Sequence, residues 1–209
     1  MQTKRSTLIT LTGGLAAGKS SAAEIFRSLG AEIIDTDQLA RSLLSPSSSL
    51  LKKVTQHFGN EILMTSGEVN RRKLREIIFQ RPEERTFLEN LLHPAIRRAV
   101  EAELKSLLSR VDPPLYIIVV VPLLKDKHAY PSDVIVTIEV PHALQINRVI
   151  ERDQISESLA FAMIEAQPSS QHRQALADYV IWNTGDKEVL RGEIEKILKK
   201  IPCFHVREA

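Results

Sequence analysis

The sequence is poor in cysteine, with Cys203 as the one thiol among 209 residues. A single cysteine excludes a disulfide within the chain and a metal site built from several thiolates. It also fits a reducing compartment, so we expect a cytoplasmic protein. Cys203 itself is interpreted as an incidental thiol.

Long hydrophobic runs are absent as well. The longest, residues 115–124, spans ten residues and contains Pro122, whereas a membrane-spanning helix needs about 20 apolar residues. The apolar stretch at residues 8–17 is interrupted by threonines and glycines, which argues against a secretory signal. We therefore expect no membrane span and no membrane partner.

Neither sign of charge dominates the sequence. The 28 Lys and Arg residues stand against 26 Asp and Glu residues, a formal net charge of +2, so the composition predicts no nucleic-acid partner. Any site for an anion must be local. Hydrophobic residues make up 43% of the chain, which is enough to bury a core in a domain of ordinary size.

Strand-like and helix-like segments alternate, which predicts an α/β fold with a parallel sheet. The expected strands are residues 7–12, 31–34, 115–121, 134–140 and 179–182. Between residues 45 and 110 we expect only helices, at 50–58, 71–79, 83–92 and 95–108, separated by Pro46, Gly67, Pro82 and Pro94. This stretch predicts a helical insertion in the α/β core.

Residues 13–20, GGLAAGKS, match the phosphate-binding pattern G-x-x-x-x-G-K-[ST] between an expected strand and an expected helix. Glycines let several backbone N–H groups converge on a polyphosphate, and the helix N-terminus adds a favourable field. We expect Lys19 on the β- and γ-phosphates of ATP and the Ser20 hydroxyl on Mg²⁺. The other loop residues expected at the nucleotide are Gly14, Leu15, Ala16, Ala17, Gly18 and, more weakly, Ser21. The alternative is an ordinary glycine turn with a serine at a helix start.

A phosphate-binding loop alone does not separate a motor ATPase, a GTPase and a kinase. The chain lacks a guanine-recognition NKxD motif, and the strand at 115–121 ends in Pro122 without an acidic residue, which argues against a GTPase and against a motor. Asp35 and Asp37 instead follow the second strand. If that strand persists, both carboxylates point the same way and could hold Mg²⁺ or an acceptor hydroxyl.

Two of these charged residues have a second interpretation. Asp37 could be the N-cap of a helix that begins at Gln38, or it could be the carboxylate at the acceptor. Arg41 lies one helical turn later, so it could form a surface pair with Asp37 or reach an anionic substrate.

Further short motifs follow in order along the chain. They are LTGG at 11–14, GKS at 18–20, IDTD at 34–37, AR at 40–41, a G-x-x-x-R-R-x-L-R-x-x-x-F pattern at 67–79, LHP at 92–94, VPLL at 121–124, Arg148, RD at 152–153, Gln167, and ADYVI at 177–181 with Asn183 and Gly185. Together they resemble the dephospho-coenzyme A kinase family over roughly residues 7 to 200.

The resemblance implies ATP-dependent phosphorylation of the ribose 3′-hydroxyl of dephospho-coenzyme A, the last step of coenzyme A synthesis. It implies that Asp37 is the base or orients the hydroxyl, and that Lys19 is the phosphate clamp. Arg148, with Arg152 as a second candidate, would close over the transferring phosphoryl group.

The resemblance also implies binding roles outside the loop. Asn183 and Gly185 would line the adenine pocket of ATP, while Arg41 and His93 would face the acceptor. The alternative for His93 is a histidine at a helix start before Pro94.

The implied architecture is a P-loop kinase in one unit, residues 1–209. Its core comprises 1–37, 111–142 and 175–209, its helical substrate domain 38–110, and its small helical lid 143–174. A nucleoside or nucleotide kinase of related P-loop fold is the alternative within enzymes, and a non-catalytic nucleotide-binding module is the alternative outside them.

Overall fold

The structure is a computed structural model that describes residues 3–4, 6–201 and 205–206, with the backbone alone for residues 3–4, Phe79 and residues 205–206. Cys203 and the remaining terminal positions of the expected core lie outside the described residues.

Seven strands and nine α-helices are formed by the described residues. The strands are β1 (Thr3–Lys4), β2 (Thr7–Gly13), β3 (Glu32–Asp35), β4 (Tyr116–Val120), β5 (Val134–Glu139), β6 (Tyr179–Trp182) and β7 (His205–Val206). The helices are α1 (Lys19–Ser28), α2 (Thr36–Leu43), α3 (Ser49–Phe58), α4 (Arg71–Gln80), α5 (Pro82–Leu108), α6 (His142–Asp153), α7 (Glu157–Glu165), α8 (Ser170–Leu176) and α9 (Lys187–Lys200), with a 3₁₀ turn at Asn60–Ile62.

Five strands form one sheet in the order β3-β4-β2-β5-β6, and every neighbouring pair is parallel. Central β2 pairs on both sides, so that Leu11 lies beside Val120 and Val136. The prediction of an α/β fold with a parallel sheet is confirmed. Strands β1 and β7 pair separately as an antiparallel two-stranded ribbon, which the sequence patterns did not predict.

The strand order reverses at β2. After β2 the chain builds β3 and β4 on one side of that strand, and afterwards β5 and β6 on the other. Ligands of open parallel sheets bind outside the carboxyl ends of the strands at such a reversal. The loop at 13–20 follows the carboxyl end of β2 and therefore occupies that position.

The core of the sheet follows from strands that are apolar on both faces. All six residues of β5 are buried, as expected for a parallel strand covered on each side. One buried cluster joins β2 and β5 to α1 and α9, with Phe26 and Ile194 fully buried in it. This packing holds α1 against the sheet, and the phosphate-binding loop ends where α1 begins.

The chain divides into two compact units, Met1–Asp35 with Leu104–Ala209, and Thr36–Glu103. The second unit contains α2, α3, α4 and most of α5. One buried cluster of this unit comprises Leu51, Val54, Phe58, Ile62, Val69, Leu74 and Leu88. In this unit, as described, we find only one isolated β-bridge, between Leu63 and Val69, in agreement with the helical interpretation of this stretch.

The prediction of two helices separated by Pro94 is wrong. One helix, α5, runs from Pro82 to Leu108 with Pro94 inside it. A proline within a helix costs about 3 kcal/mol, because it removes a backbone hydrogen bond and crowds the preceding turn. Leu88 before the proline and Ala95 and Ile96 after it are all buried, and this packing offsets the loss.

The condition under which both carboxylates would point the same way, a second strand that persists through Asp37, is not met. Strand β3 ends at Asp35 and α2 begins at Thr36, so the alternation of side chains stops before the second carboxylate. Asp37 lies within the first turn of α2 rather than at its N-cap, where its negative charge is favourable to the helix dipole.

Among the described residues, none of the helices is both long enough and apolar enough to cross a membrane.

Candidate active site

The loop between β2 and α1 requires glycine at two positions for steric reasons. A Cβ on Gly13 would overlap the carbonyl oxygen of Ile138, and a Cβ on Gly18 would overlap Nδ2 of Asn183. Gly18 also has φ +101, a conformation that residues with a side chain rarely adopt. These two glycines let the loop pass close to β5 and to the end of β6.

Ala16 adopts the left-handed conformation without being glycine, at φ 53. This conformation costs a residue with a Cβ about 1–2 kcal/mol. Strain of this kind persists where surrounding contacts impose it. Ala16 packs against the buried cluster of Val149, Ala160 and Ile164 on α6 and α7, which supplies such contacts.

Lys19 is the first residue of α1, and its side chain contacts the backbone of the loop. Its Nζ donates to the carbonyl oxygens of Gly13 at 2.8 Å and Gly14 at 2.7 Å. The ammonium group is therefore held at the loop by two backbone carbonyl groups. Ser20 follows in the first turn of α1 with its side chain exposed, as a metal ligand at this position requires.

Asn183 connects the end of β6 to the loop. Its backbone N–H donates to Glu139 O at 2.8 Å, and its side-chain Nδ2 donates to Ala17 O at 2.8 Å. The residue is buried at the carboxyl edge of the sheet. It thus lies between the phosphate-binding loop and the residues that follow β6.

A cavity of about 280 Å³ opens beside the loop. Its lining residues are Ala16, Gly18, Ser21, Arg148, Asn183, Gly185, Asp186, Lys187 and Leu190. The structure therefore brings together six residues that the sequence analysis assigned to ATP, from the loop, from α6 and from the segment after β6. Asp186, Lys187 and Leu190 were not predicted there.

The three lining residues that were not predicted, Asp186, Lys187 and Leu190, lie at the start of α9. Asp186 is the N-cap of this helix, and its carboxylate accepts from the backbone N–H groups of Glu188 and Val189 at 3.0 Å each. Gly185 lies so close to Val189 that a Cβ would come within 2.8 Å of the valine Cβ. An acidic residue directly before a helical pattern is an N-cap signal and could have placed Asp186 from sequence.

Arg148 and Arg152 differ in what they contact, although both lie on α6. Arg148 is half-buried and lines the cavity. Arg152 is paired with Asp153, through Nε to Oδ1 at 2.8 Å and Nη2 to Oδ2 at 2.7 Å. This hydrogen bond raises the pKa of Arg152 above its ordinary value. The guanidinium of Arg152 is thus hydrogen-bonded to Asp153, whereas Arg148 lines the cavity. This difference favours Arg148 over Arg152 as the arginine at the nucleotide.

A buried ion pair lies under the loop. Arg173 donates to both carboxylate oxygens of Glu139, from Nε at 2.8 Å and from Nη2 at 2.6 Å. Thr137 and Ser170 also donate to this carboxylate, at 2.7 and 2.8 Å. A buried carboxylate needs such partners, because leaving it unpaired is costly. No local sequence pattern predicts this pair, because its members are 34 residues apart.

Three predicted acceptor residues lie in the helical unit. Asp37 and Arg41 are both on α2, four residues apart, and both are exposed. His93 is an exposed residue within α5, and the helix-start alternative is wrong because α5 begins at Pro82.

A metal ion held by the protein alone would need a cluster of ligating side chains. Within the described residues, no three His, Cys, Asp or Glu side chains come together as a metal site. A Mg²⁺ ion that enters with a triphosphate needs few protein ligands, since phosphate oxygens and water complete its octahedral shell. The exposed Ser20 hydroxyl at the start of α1 fits such an ion.

The strand order and the loop after β2 place this protein among the P-loop kinases. Comparison with known proteins narrows the class. Residues 7–188 match the family model described as dephospho-CoA kinase. A dephospho-CoA kinase of Coxiella burnetii is 40% identical over 188 residues, covering 89% of this chain and 92% of the relative.

Two solved structures share the fold of this chain. A protein from Thermus thermophilus has a TM-score of 0.77 at 27% identity, covering 95% of this chain and 100% of that one. A dephospho-CoA kinase from Campylobacter jejuni has a TM-score of 0.61 at 27% identity, covering 93% and 97%. The chain belongs to the dephospho-CoA kinase family.

Proposed function

We propose that this protein transfers the γ-phosphoryl group of ATP to the ribose 3′-hydroxyl of dephospho-CoA, giving coenzyme A and ADP. The observation that carries the proposal is membership of the dephospho-CoA kinase family over residues 7–188. The phosphate-binding loop supports it, because Lys19 lies against the loop backbone and the loop has glycine where a side chain would not fit. We place this last step of coenzyme A synthesis in the cytoplasm, since the single cysteine fits a reducing compartment.

ATP is proposed to bind in the cavity beside the loop. The backbone N–H groups at the start of α1 would receive its phosphates, with help from the helix dipole. Asn183 and Gly185 would border the adenine, and Asp186 shapes that border by capping α9. Mg²⁺ would be held by Ser20 together with phosphate oxygens, and would neutralise charge on the transferring group.

Two cations are proposed to stabilise the transition state. Lys19 is held at the loop by two carbonyl groups, so its charge is oriented before the reaction. Arg148 lies in the wall of the same cavity. Fixed positive groups that meet charge as it develops are the main source of acceleration in phosphoryl transfer.

The acceptor is proposed to bind through the helical unit. Asp37 would orient the ribose hydroxyl or take its proton, and Arg41 and His93 would contact the rest of dephospho-CoA. The functional domains are then the core, a helical substrate domain at 38–110 and a lid at 143–174. A kinase must keep water away from the γ-phosphate, and closure of a lid does so.

The experiment is a mass-spectrometric assay of the purified protein with ATP, Mg²⁺ and dephospho-CoA. We expect the acceptor to gain one phosphate and to co-elute with coenzyme A. Adenosine and AMP serve as competing acceptors, because a nucleoside or nucleotide kinase of related fold would phosphorylate these instead. Phosphorylation of either in preference to dephospho-CoA would contradict the proposal.

A further inference from the structure

The peptide group of Leu15, inside the phosphate-binding loop, is held on both sides by glutamine side chains. Gln145 donates from Nε2 to Leu15 O at 2.9 Å, and Leu15 N–H donates to Oε1 of Gln167 at 3.0 Å. Both bonds link positions more than 100 residues apart along the chain. The loop backbone at Leu15 is therefore held by two side chains of the protein itself.

The two glutamines lie at opposite ends of the helix pair α6–α7. Gln145 is buried in the first part of α6, and Gln167 lies in the turn that connects α7 to α8. Leu15 itself packs against the buried cluster of that pair, which includes Val149 and Ile164. The loop and the pair α6–α7 are thus joined by two hydrogen bonds and by apolar packing at the same residue.

Gln145 also connects the loop to the arginine of the site. Arg148 follows Gln145 by three residues on α6, so the two side chains lie on the same face of the helix, about one turn apart. Gln145 bonds to the loop, and Arg148 lines the cavity beside it. The bond from Gln145 therefore links the loop directly to the part of α6 that carries Arg148.

Glycine at position 14 makes room for this arrangement. A Cβ on Gly14 would lie 2.6 Å from Nε2 of Gln145 and 3.0 Å from Nη2 of Arg173. Arg173 is itself locked by Glu139. The Gln145 carboxamide and the fixed Arg173 guanidinium therefore both lie against the backbone at Gly14.

The chemistry of the two contacts is not interchangeable. A backbone N–H can only donate, and a backbone carbonyl can only accept. Gln167 must therefore present its oxygen to Leu15, whereas Gln145 must present its amide nitrogen. Glutamate can replace the first role but not the second.

We propose that Gln145 and Gln167 are positioning residues for phosphoryl transfer, which hold the Leu15 peptide so that the loop and Arg148 keep the geometry that the triphosphate needs. Neither side chain is assigned a contact with substrate. The proposal rests on the proposed function for its kinetic consequence, but its effect on nucleotide affinity does not depend on the acceptor.

The test compares the same substitutions at the two sites. Gln167→Met and Gln145→Met each remove one bond to Leu15, and we expect kcat to fall about tenfold, which corresponds to one lost buried hydrogen bond. Gln167→Glu keeps the acceptor and should retain kcat within about threefold, whereas Gln145→Glu cannot donate and should lose activity like the methionine variant. The assays are repeated at raised ionic strength, which screens the negative charge that each glutamate substitution adds.

Two readouts separate positioning from general stability. Hydrogen exchange of the Leu15 amide, followed by NMR in the nucleotide-free protein, should be slow in the wild type and in Gln167→Glu and fast in Gln167→Met. Calorimetric titration with ADP should show weaker binding in both methionine variants. Gln154→Met is the matched control, because Gln154 also donates to a backbone carbonyl, that of Glu151 at 2.7 Å, on the exposed surface.

Unchanged kinetics and ADP affinity in both methionine variants would overturn the proposal. So would losses that follow the melting temperature alone and that Gln167→Glu fails to restore. If the wild type binds ADP but does not phosphorylate dephospho-CoA, the proposed function fails, while the exchange and ADP measurements still decide the role of the glutamines.

Discussion

Asn183 packs its carboxamide directly against Gly18, the last glycine of the phosphate-binding loop, while its Nδ2 donates to the Ala17 carbonyl oxygen at 2.8 Å. One buried side chain thus supports the loop from the side on which the cavity opens. The pair explains why glycine is needed at position 18, since there is no space for a Cβ.

Gly18→Ala is expected to weaken nucleotide binding strongly. The new Cβ would overlap the Asn183 amide. The alanine would also have to adopt φ +101, and this conformation alone costs about 1–2 kcal/mol. We expect the dissociation constant of ADP, measured by calorimetry, to rise by more than about tenfold. Retention of wild-type affinity would show that Asn183 can move away without consequence.

Gly192→Ala is the matched control. Gly192 lies inside α9, and a Cβ there has nothing within 4 Å. Alanine should therefore raise the free energy of unfolding by about 0.5–1 kcal/mol, as in other helix interiors. ADP affinity should stay unchanged, because the position is not part of the cavity lining.

Lys19→Ala is expected to lower kcat by at least about a hundredfold, because it removes a fixed charge that meets the developing negative charge of the phosphoryl group. The melting temperature should fall modestly, because the buried carbonyl groups of Gly13 and Gly14 each lose one donor, while Gly14 O keeps the Ala17 N–H at 3.2 Å. The control is Lys196→Ala, an exposed lysine on α9 that pairs with Glu193 at 2.7 Å. Equal turnover of the two variants in the mass-spectrometric assay would contradict the role of Lys19.

The parts of the fold that the sequence predicts are those with local signals. The strand before the loop, the pattern at 13–20 and the helix after it form one continuous segment, and the structure reproduces it with α1 beginning at Lys19. Pro94 misleads for the opposite reason. Its local preference is to end a helix, and the burial of Leu88, Ala95 and Ile96 on both sides of it overrides that preference.

Arg148→Ala is expected to lower kcat by about 10² to 10³, with a change in ADP affinity below about threefold, because its contribution is greatest in the transition state. Arg152→Ala, four residues later on α6, should leave both values within about threefold of the wild type, since its guanidinium is already bound by Asp153. Steady-state kinetics with dephospho-CoA and titration with ADP measure the two quantities. A loss confined to ADP affinity in Arg148→Ala would assign the residue to binding alone.

The buried network under the loop could not be predicted from the sequence. Glu139 ends a strand and Arg173 lies on a short helix, and either residue alone reads as an ordinary surface charge. Only the parallel sheet, which turns alternate residues of β5 toward α8, brings the two together. Gln145 and Gln167 are similar, because their shared partner, Leu15, is more than 100 residues away from each.

Removing one member of the Glu139–Arg173 pair is expected to destabilise the protein strongly. Arg173→Met leaves the Glu139 carboxylate buried at 1% exposure, and loss of one partner from a buried pair costs about 3–5 kcal/mol. Adding Glu139→Gln removes that charge, so the double variant should be more stable than Arg173→Met alone, although Glu139→Gln is itself destabilising. Urea unfolding of the two single variants and the double variant completes the cycle. Strictly additive losses would mean that the two side chains do not stabilise each other, and that the loop is supported by packing rather than by this ion pair.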